Sequence, residues 1–186
     1  MSLHENVDRI MISQEQIAHR VKELATQLDQ VYQGRKPLMV CILKGSVVFF
    51  ADLIREMNTS MEIDFMSVSS YGAGTTSSGE LKIKKDLSVD IEGRDVLIVE
   101  DIIDSGNTLY KLKQMLNERR PASLNIVTLL DKPDRRTMPI EPEYTGFVIE
   151  DEFVVGYGLD YAEEYRGLPY VGVLKRCVYS NTCEIE

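Results

Sequence analysis

Apolar residues in this chain arrive as short solid runs separated by helical stripes. Val96-Leu97-Ile98-Val99 is a run of four β-favouring residues and predicts a buried strand of a parallel sheet. Leu38 to Leu43 and Leu124 to Leu130 predict two more strands of the same kind. Between them the period changes. Ile17, Val21, Leu24, Leu28 and Val31 fall on one helical face. A capping box, Ser13 with Gln16, opens that helix, and Gly34 marks its end. Val47, Phe50, Ala51 and Ile54 predict a second helix, and Leu109, Leu112, Met115 and Leu116 a third. Ile63, Phe65 and Val68 alternate with polar residues, as a half-exposed strand does, and Leu81 and Ile83 alternate with Lys82 and Lys84. Phe147 to Ile149 is a short strand and Tyr170 to Leu174 a last one. Residues Met1 to Met11 carry little pattern.

Strands that alternate with helices predict an α/β fold: a doubly wound, mostly parallel sheet flanked by helices, with a ligand site at the carboxyl edge of its strands. The 186 residues suffice for one domain with a real core. No internal repeat and no linker divides them, so residues 1–186 are read as a single domain.

Composition narrows the partners. Apolar content is an ordinary 44% and the formal net charge is −9, which argues against nucleic acid or an anionic membrane as a partner. A polyanionic small molecule remains compatible if local basic groups and magnesium offset the field. Cys41, Cys177 and Cys183 are an odd set without Cys-x-x-Cys or a Cys/His cluster, so neither a disulfide framework nor a zinc site is expected. Cys41 lies in an apolar run and reads as buried; His4 and His19 read as surface residues. With no signal pattern and no apolar run of membrane length, the expected location is the cytoplasm.

The candidate chemistry sits where the runs end. After Val99 come two carboxylates, Glu100 and Asp101, and then a tight polar turn, Asp104-Ser105-Gly106-Asn107-Thr108, that opens a helix. A helix start offers unpaired N–H groups and a positive dipole end, and Gly106 allows close backbone approach to an anion. Paired acids suit a divalent metal or sugar hydroxyls. A sugar phosphate needs both. The strand at Leu38 runs into Lys44-Gly45-Ser46, a cation beside backbone N–H groups; on its own this is an ordinary loop. Ser69 to Gly79 is the longest small-residue segment and reads as a mobile loop. Lys132 follows the third buried run; its simplest reading is a solvated loop charge. Phe153-Val154-Val155-Gly156-Tyr157-Gly158-Leu159-Asp160 combines an aromatic, glycines and an acid, and Arg166 lies just beyond.

Taken in order, these stretches resemble the type I phosphoribosyltransferases, and Glu100 to Thr108 resembles the bacterial hypoxanthine branch in particular. The likeness spans about Leu38 to Leu174. It departs from some relatives at Asn107, where a Lys can stand, and at Ser46, where a Gly can stand. The resemblance implies that family's fold with a small hood region, and transfer of 5-phosphoribosyl from phosphoribosyl pyrophosphate (PRPP) to N9 of a 6-oxopurine such as hypoxanthine or guanine. It implies Mg2+ as cofactor, held by Glu100, Asp101 and Asp160. Glu100 and Asp101 would meet the ribose hydroxyls, and Asp104 to Thr108 the 5-phosphate. Lys44, Gly45 and Arg166 would bind pyrophosphate, and the peptide bond before Lys44 is often cis in the family. Lys132, Phe153, Val154 and Asp160 would form the purine site, Phe153 stacking on the base. Asp104 would be the catalytic base, and Ser70 and Tyr71 would belong to the closing loop. Relatives form dimers or tetramers, so a homo-oligomer is expected, a tetramer before a dimer. A nucleotide-sensing regulator with the same fold is the alternative.

Overall fold

The computed structural model describes residues 3–70 and 81–180. Tyr71 and Cys183 lie outside the described residues, and so does the side chain of Ser70. The elements run β1 (Val7–Ile12), α1 (Gln14–Val31), β2 (Leu38–Leu43), α2 (Val47–Glu56), β3 (Glu62–Ser70) and β4 (Leu81–Lys85). Then come β5 (Asp95–Ile103), α3 (Asn107–Asn117), β6 (Ser123–Asp131), β7 (Tyr144–Val148), β8 (Val154–Val155), β9 (Val171–Leu174) and a final turn of helix, α4 (Arg176–Tyr179).

Six strands form the main sheet in the order β4-β3-β2-β5-β6-β7. β3, β2, β5, β6 and β7 are parallel and β4 is an antiparallel edge. The order reverses between β2 and β5. In open α/β sheets the crevice at such a switch point, outside the strands' carboxyl ends, is where ligands bind. The period of two decides which side chains meet which helices. Met39, Cys41, Leu97, Val99, Val127 and Leu129 pack under α1 and α2. Leu38, Val40, Ile42, Val96, Ile98 and Ile126 pack on the other face under α3. Runs buried on both faces have no polar alternation, which is why they read as solid apolar stretches.

A second sheet, β1-β9-β8, is antiparallel. It packs Ile12, Val154, Val171 and Val173 into the cluster under α1. It also covers a smaller cluster of Val155, Tyr165, Leu168, Tyr170 and Leu174. This is the hood, and it carries Phe153 and the turns that follow.

The capping box forms as expected: the Gln16 N–H donates to Ser13 Oγ at 3.3 Å, and the Ser13 N–H to Gln16 Oε1 at 2.8 Å. Several expectations are corrected. Val7–Ile12 is a strand, although Ile12 is its one buried residue; its pairing with β9 left no apolar alternation to read. On α2 the buried residues are Phe49, Phe50 and Leu53, while Val47 is 40% exposed. That helix is apolar nearly all round, so the period alone could not select its inner face. On β3, Asp64 and Met66 are buried and Ile63 is 49% exposed, against the expected alternation, while Phe65 and Val68 do pack, partly buried, on the clusters of the two faces. Asp64 is tolerated inside because it accepts from the Phe65 and Ser88 N–H groups at 2.8 and 2.6 Å. β7 begins at Tyr144, earlier than the Phe147 run suggested, and β9 at Val171. His4 and His19 are exposed, and Cys41 is fully buried.

Candidate active site

Strand register assembles the site. β5 does not stop at Val99: pairing with β6 continues through Glu100↔Thr128 and Ile102↔Leu130 to Ile103↔Asp131. The acid pair therefore lies inside the strand's last turns rather than beyond it. One residue past the final pair on each strand stand Asp104 and Lys132, and the Lys132 N–H donates to the Ile103 carbonyl at 2.9 Å. On the other side, β2 is level with β5 at Cys41↔Val99. Continuing that register by two residues brings Leu43, and the Lys44-Gly45 turn after it, alongside Asp101.

The fit of that turn is close. A Cβ on Gly45 would lie 1.7 Å from Asp101 Oδ2, and one on Gly158 would lie 2.0 Å from the Gly45 carbonyl oxygen. Glycine is required at both positions because a carboxylate and a carbonyl already fill the space. The Leu43–Lys44 peptide bond is cis. Ser46 is buried, and its hydroxyl donates to the Ile42 carbonyl and contacts Cys41 Sγ at 3.3 Å. It is therefore turned inward rather than toward a phosphate.

Glu100 and Asp101 are both held above the usual carboxylate range. Burial is the largest cause for each; the Asp101 charge adds to it for Glu100, and Asp160 contributes for Asp101. Asp101 Oδ1 accepts from the Ile102 N–H at 2.8 Å, a partial offset. Neither carboxylate forms an ion pair among the described residues. Asp160 forms one, with Arg166 Nη2 at 2.8 Å. Hard, desolvated and uncompensated oxygens of this kind suit Mg2+, which is commonly held through one or two carboxylates with waters and substrate oxygens completing its shell. The described residues contain no cluster of three or more His, Cys, Asp or Glu that could hold a metal alone. Asp101 and Asp160, which line one cavity, thus offer oxygens of the kind that would suit a magnesium shared with substrate.

The turn from Asp104 to Thr108 has the form an anion cradle needs. Gly106 is the N-cap of α3 with φ +80° and offers no side-chain cap; only Ser105 Oγ, 3.4 Å from the Asn107 nitrogen, faces the helix start. A Cβ there would meet Ile140 Cγ2 at 2.7 Å and Arg136 Cδ at 3.0 Å, so both conformation and packing require glycine. Asn107 Nδ2 donates to Ser105 Oγ at 3.1 Å and to Thr137 Oγ1 at 3.3 Å, and the Thr137 N–H donates to the Ser105 carbonyl at 3.0 Å. The segment after β6 therefore braces the turn from behind. Thr108 is half-buried in the first turn of α3.

A cavity of about 520 Å³ opens between the two sheets' edges. Asp101, Asp104, Lys132, Phe153, Val154 and Asp160 all line it. Lys132 is only 7% exposed, so it is no solvated loop charge. Its Nζ donates to the Glu152 carbonyl at 2.7 Å and stands 3.7 Å from Asp151. Phe153 is 38% exposed, stacked on Tyr179 with centroids 4.7 Å apart and edge-on to Tyr161 at 5.6 Å. Lys44 and Arg166 lie on the far side of Asp160, bridged by Glu163.

The sequence reading missed several members of this constellation. Arg135, in the 3-10 turn Pro133–Arg135 after Lys132, places Nε 2.6 Å from Asp104 Oδ1 and Nη1 3.2 Å from Asp151. The neighbouring Arg136 pairs with Asp131 at the end of β6. Glu163 and Tyr179 were passed over too. Nothing in their local sequence separates them from ordinary surface residues; only the fold brings them in.

Comparison with known proteins gives a consistent picture. Residues 11–162 match the family described as phosphoribosyl transferase domain. The chain is 53% identical to the hypoxanthine-guanine phosphoribosyltransferase of Bacillus subtilis, over 95% of this chain and 98% of that one. It is equally close, 53%, to the bifunctional protein TilS/HprT of Listeria innocua, but spans only 28% of that protein's length. Among solved structures it superposes on a hypoxanthine phosphoribosyltransferase from Staphylococcus aureus with a TM-score of 0.93 and 52% identity, covering 96% of this chain and 97% of that one.

Proposed function

The chain belongs to the phosphoribosyltransferase family, and from that premise we propose that it transfers 5-phosphoribosyl from PRPP to N9 of hypoxanthine and of guanine, giving IMP or GMP and pyrophosphate. The observation that carries this reading is the register of β5 and β6, which sets a carboxylate, Asp104, beside a buried ammonium, Lys132, in a cavity that Phe153 also lines.

The part proposed for each residue rests on the resemblance to the family. The start of α3, with the Ser105 and Thr108 hydroxyls and the Asn107 amide, holds the 5-phosphate through N–H and O–H donors. Glu100 and Asp101 hold the ribose hydroxyls, directly or through magnesium. Magnesium, when bound, would supply positive charge toward the pyrophosphate. Lys44, the Gly45 N–H and Arg166 take the remaining charge of the leaving group. Asp104 accepts the proton of purine N7 while N9 attacks. Phe153 stacks on the base, the Val154 backbone meets its edge, and Asp160 closes the site toward the metal. Ser70 and Tyr71 belong to the loop that excludes water. We further propose that residues 1–186 act as one domain, that the protein is a cytoplasmic homo-oligomer, a tetramer before a dimer, and that nucleic acid and membranes are not its partners. Among the described residues no helix is long and apolar enough to cross a membrane.

The test is product formation. With PRPP and magnesium, hypoxanthine and guanine should each yield a nucleotide and one equivalent of pyrophosphate, and adenine should not. Absence of product with every base would overturn the proposal.

Lys132 tests the base preference. Its ammonium can only donate, so it suits a 6-oxo group and not a 6-amino group. Lys132→Ala removes a charged donor, a bond worth about 1.5–3 kcal/mol. The purine KM should therefore rise roughly tenfold or more, with the PRPP KM changing far less. Equal losses for purine and PRPP would count against the assignment.

A further inference from the structure

Lys44 and Arg166, the cations that the proposed function gives to pyrophosphate, already hold an anion. Lys44 Nζ stands 3.1 Å from both carboxylate oxygens of Glu163, and Arg166 Nη2 stands 3.2 Å from Glu163 Oε2. Arg166 is itself fixed by Asp160 at 2.8 Å and by donating to the Gly158 carbonyl at 2.8 Å. The hydrogen bond from Lys44, and then that from Arg166, hold Glu163 below the usual carboxylate range.

The backbone delivers Glu163 to this place at a conformational cost. Tyr161 to Glu164 is a tight turn closed by the Glu164 N–H on the Tyr161 carbonyl at 3.0 Å. Its central residues, Ala162 and Glu163, have φ of 53° and 67°. Turns of that form normally use Asn-Gly or Gly-Gly, because side chains are disfavoured at positive φ. Here the Asp160 carboxylate accepts the Glu163 N–H at 3.0 Å and pins the turn. Residues held in disfavoured backbone geometry cluster at ligand clamps.

We propose that Glu163 is an internal competitor for the pyrophosphate subsite: its carboxylate, which stands between the two cations, yields to the pyrophosphate of PRPP and returns as pyrophosphate leaves. This rests on the pyrophosphate assignment of Lys44 and Arg166. Lys44 and Glu163 are 67% and 66% exposed, so their pairing is weak enough for a group carrying several negative charges to displace it. A vacant cation pair would bind product more tightly. Glu163 thus sets the affinity of the subsite and favours product release.

The experiment is titration calorimetry of pyrophosphate at fixed free magnesium. Glu163→Gln keeps the size of the side chain and removes the competing charge, so pyrophosphate should bind about three- to tenfold more tightly. Glu163→Ala should shift in the same direction. Binding of the nucleoside monophosphate, which lacks the pyrophosphate group, should not change in either variant. A residue that merely supported the site would weaken pyrophosphate when replaced, so unchanged or weaker binding in both variants overturns the proposal. Lys44→Ala separates the two levels. If it weakens pyrophosphate while the Glu163 variants do not tighten it, only the competitor role fails. If Lys44→Ala leaves pyrophosphate binding unchanged, the subsite assignment fails and the competitor role fails with it.

Discussion

Excess chelator should abolish turnover, and returning magnesium should restore it in full. The reason is the charge balance at the switch point. The pyrophosphate of PRPP brings several negative charges to a place already lined by Glu100, Asp101, Asp160 and Glu163. The cations that face it, Lys44 and Arg166, are engaged with Glu163 and Asp160. The chain as a whole carries a formal charge of −9, so no long-range field compensates. Burial already disfavours the charged form of Glu100 and Asp101, and an unscreened anion beside them would disfavour it further. The measurement is steady-state nucleotide formation in chelator, followed by titration of free magnesium with ionic strength held constant. Undiminished turnover in chelator would contradict the roles proposed for Glu100, Asp101 and Asp160.

The sequence disclosed the framework of this site because burial leaves a strong signature. β2 and β5 are covered on both faces, so they read as unbroken apolar runs, and β6 as one interrupted only by Asn125 and Thr128; the short polar turns at their ends are conspicuous by contrast. Gly106 is conspicuous for the same reason, whereas Gly45 lies in an ordinary loop that gains weight only beside Glu100 and Asp101. The structure supplies the physical need at each: positive φ and the packing of Ile140 and Arg136 at one, the Asp101 carboxylate at the other. The resemblance to phosphoribosyltransferases rested on those turns, and the family match over residues 11–162 agrees with it.

What escaped the sequence depends on contacts between distant segments. β1 has no amphipathic pattern because its backbone, not its side chains, ties it to β9. The inner face of α2 was misjudged because apolar residues surround that helix. Arg135 and Glu163 resemble any surface charges until β6 and the turn after β8 bring them to Asp104 and Lys44. Local patterns report which backbone is buried. Which exposed charge meets which depends on loop geometry, and that is encoded nonlocally.

Asp104→Asn should lower the chemical step by about 10²–10⁴-fold while leaving substrate affinity nearly intact. The variant side chain keeps its size, so the turn that cradles the 5-phosphate survives, but the amide cannot take the N7 proton. A purine whose N7 proton leaves more readily should be affected less. The competing idea, that Asp104 is only a helix cap, finds no support in the geometry: Gly106 is the N-cap of α3, and the side-chain oxygen facing the first helical N–H, that of Asn107, is Ser105 Oγ at 3.4 Å. The stability cost of the variant is also small. It loses the charge pairing of Asp104 with Arg135, where both side chains are 48% exposed, and pairs so open to water contribute little. Thermal unfolding should therefore change little while the single-turnover rate collapses. A purely structural residue would give the opposite pattern, with lower stability and a normal rate per folded molecule. An unchanged single-turnover rate would take Asp104 out of the proton transfer and leave it a wall of the cradle. The proton would then have to pass to solvent from the 520 Å³ cavity.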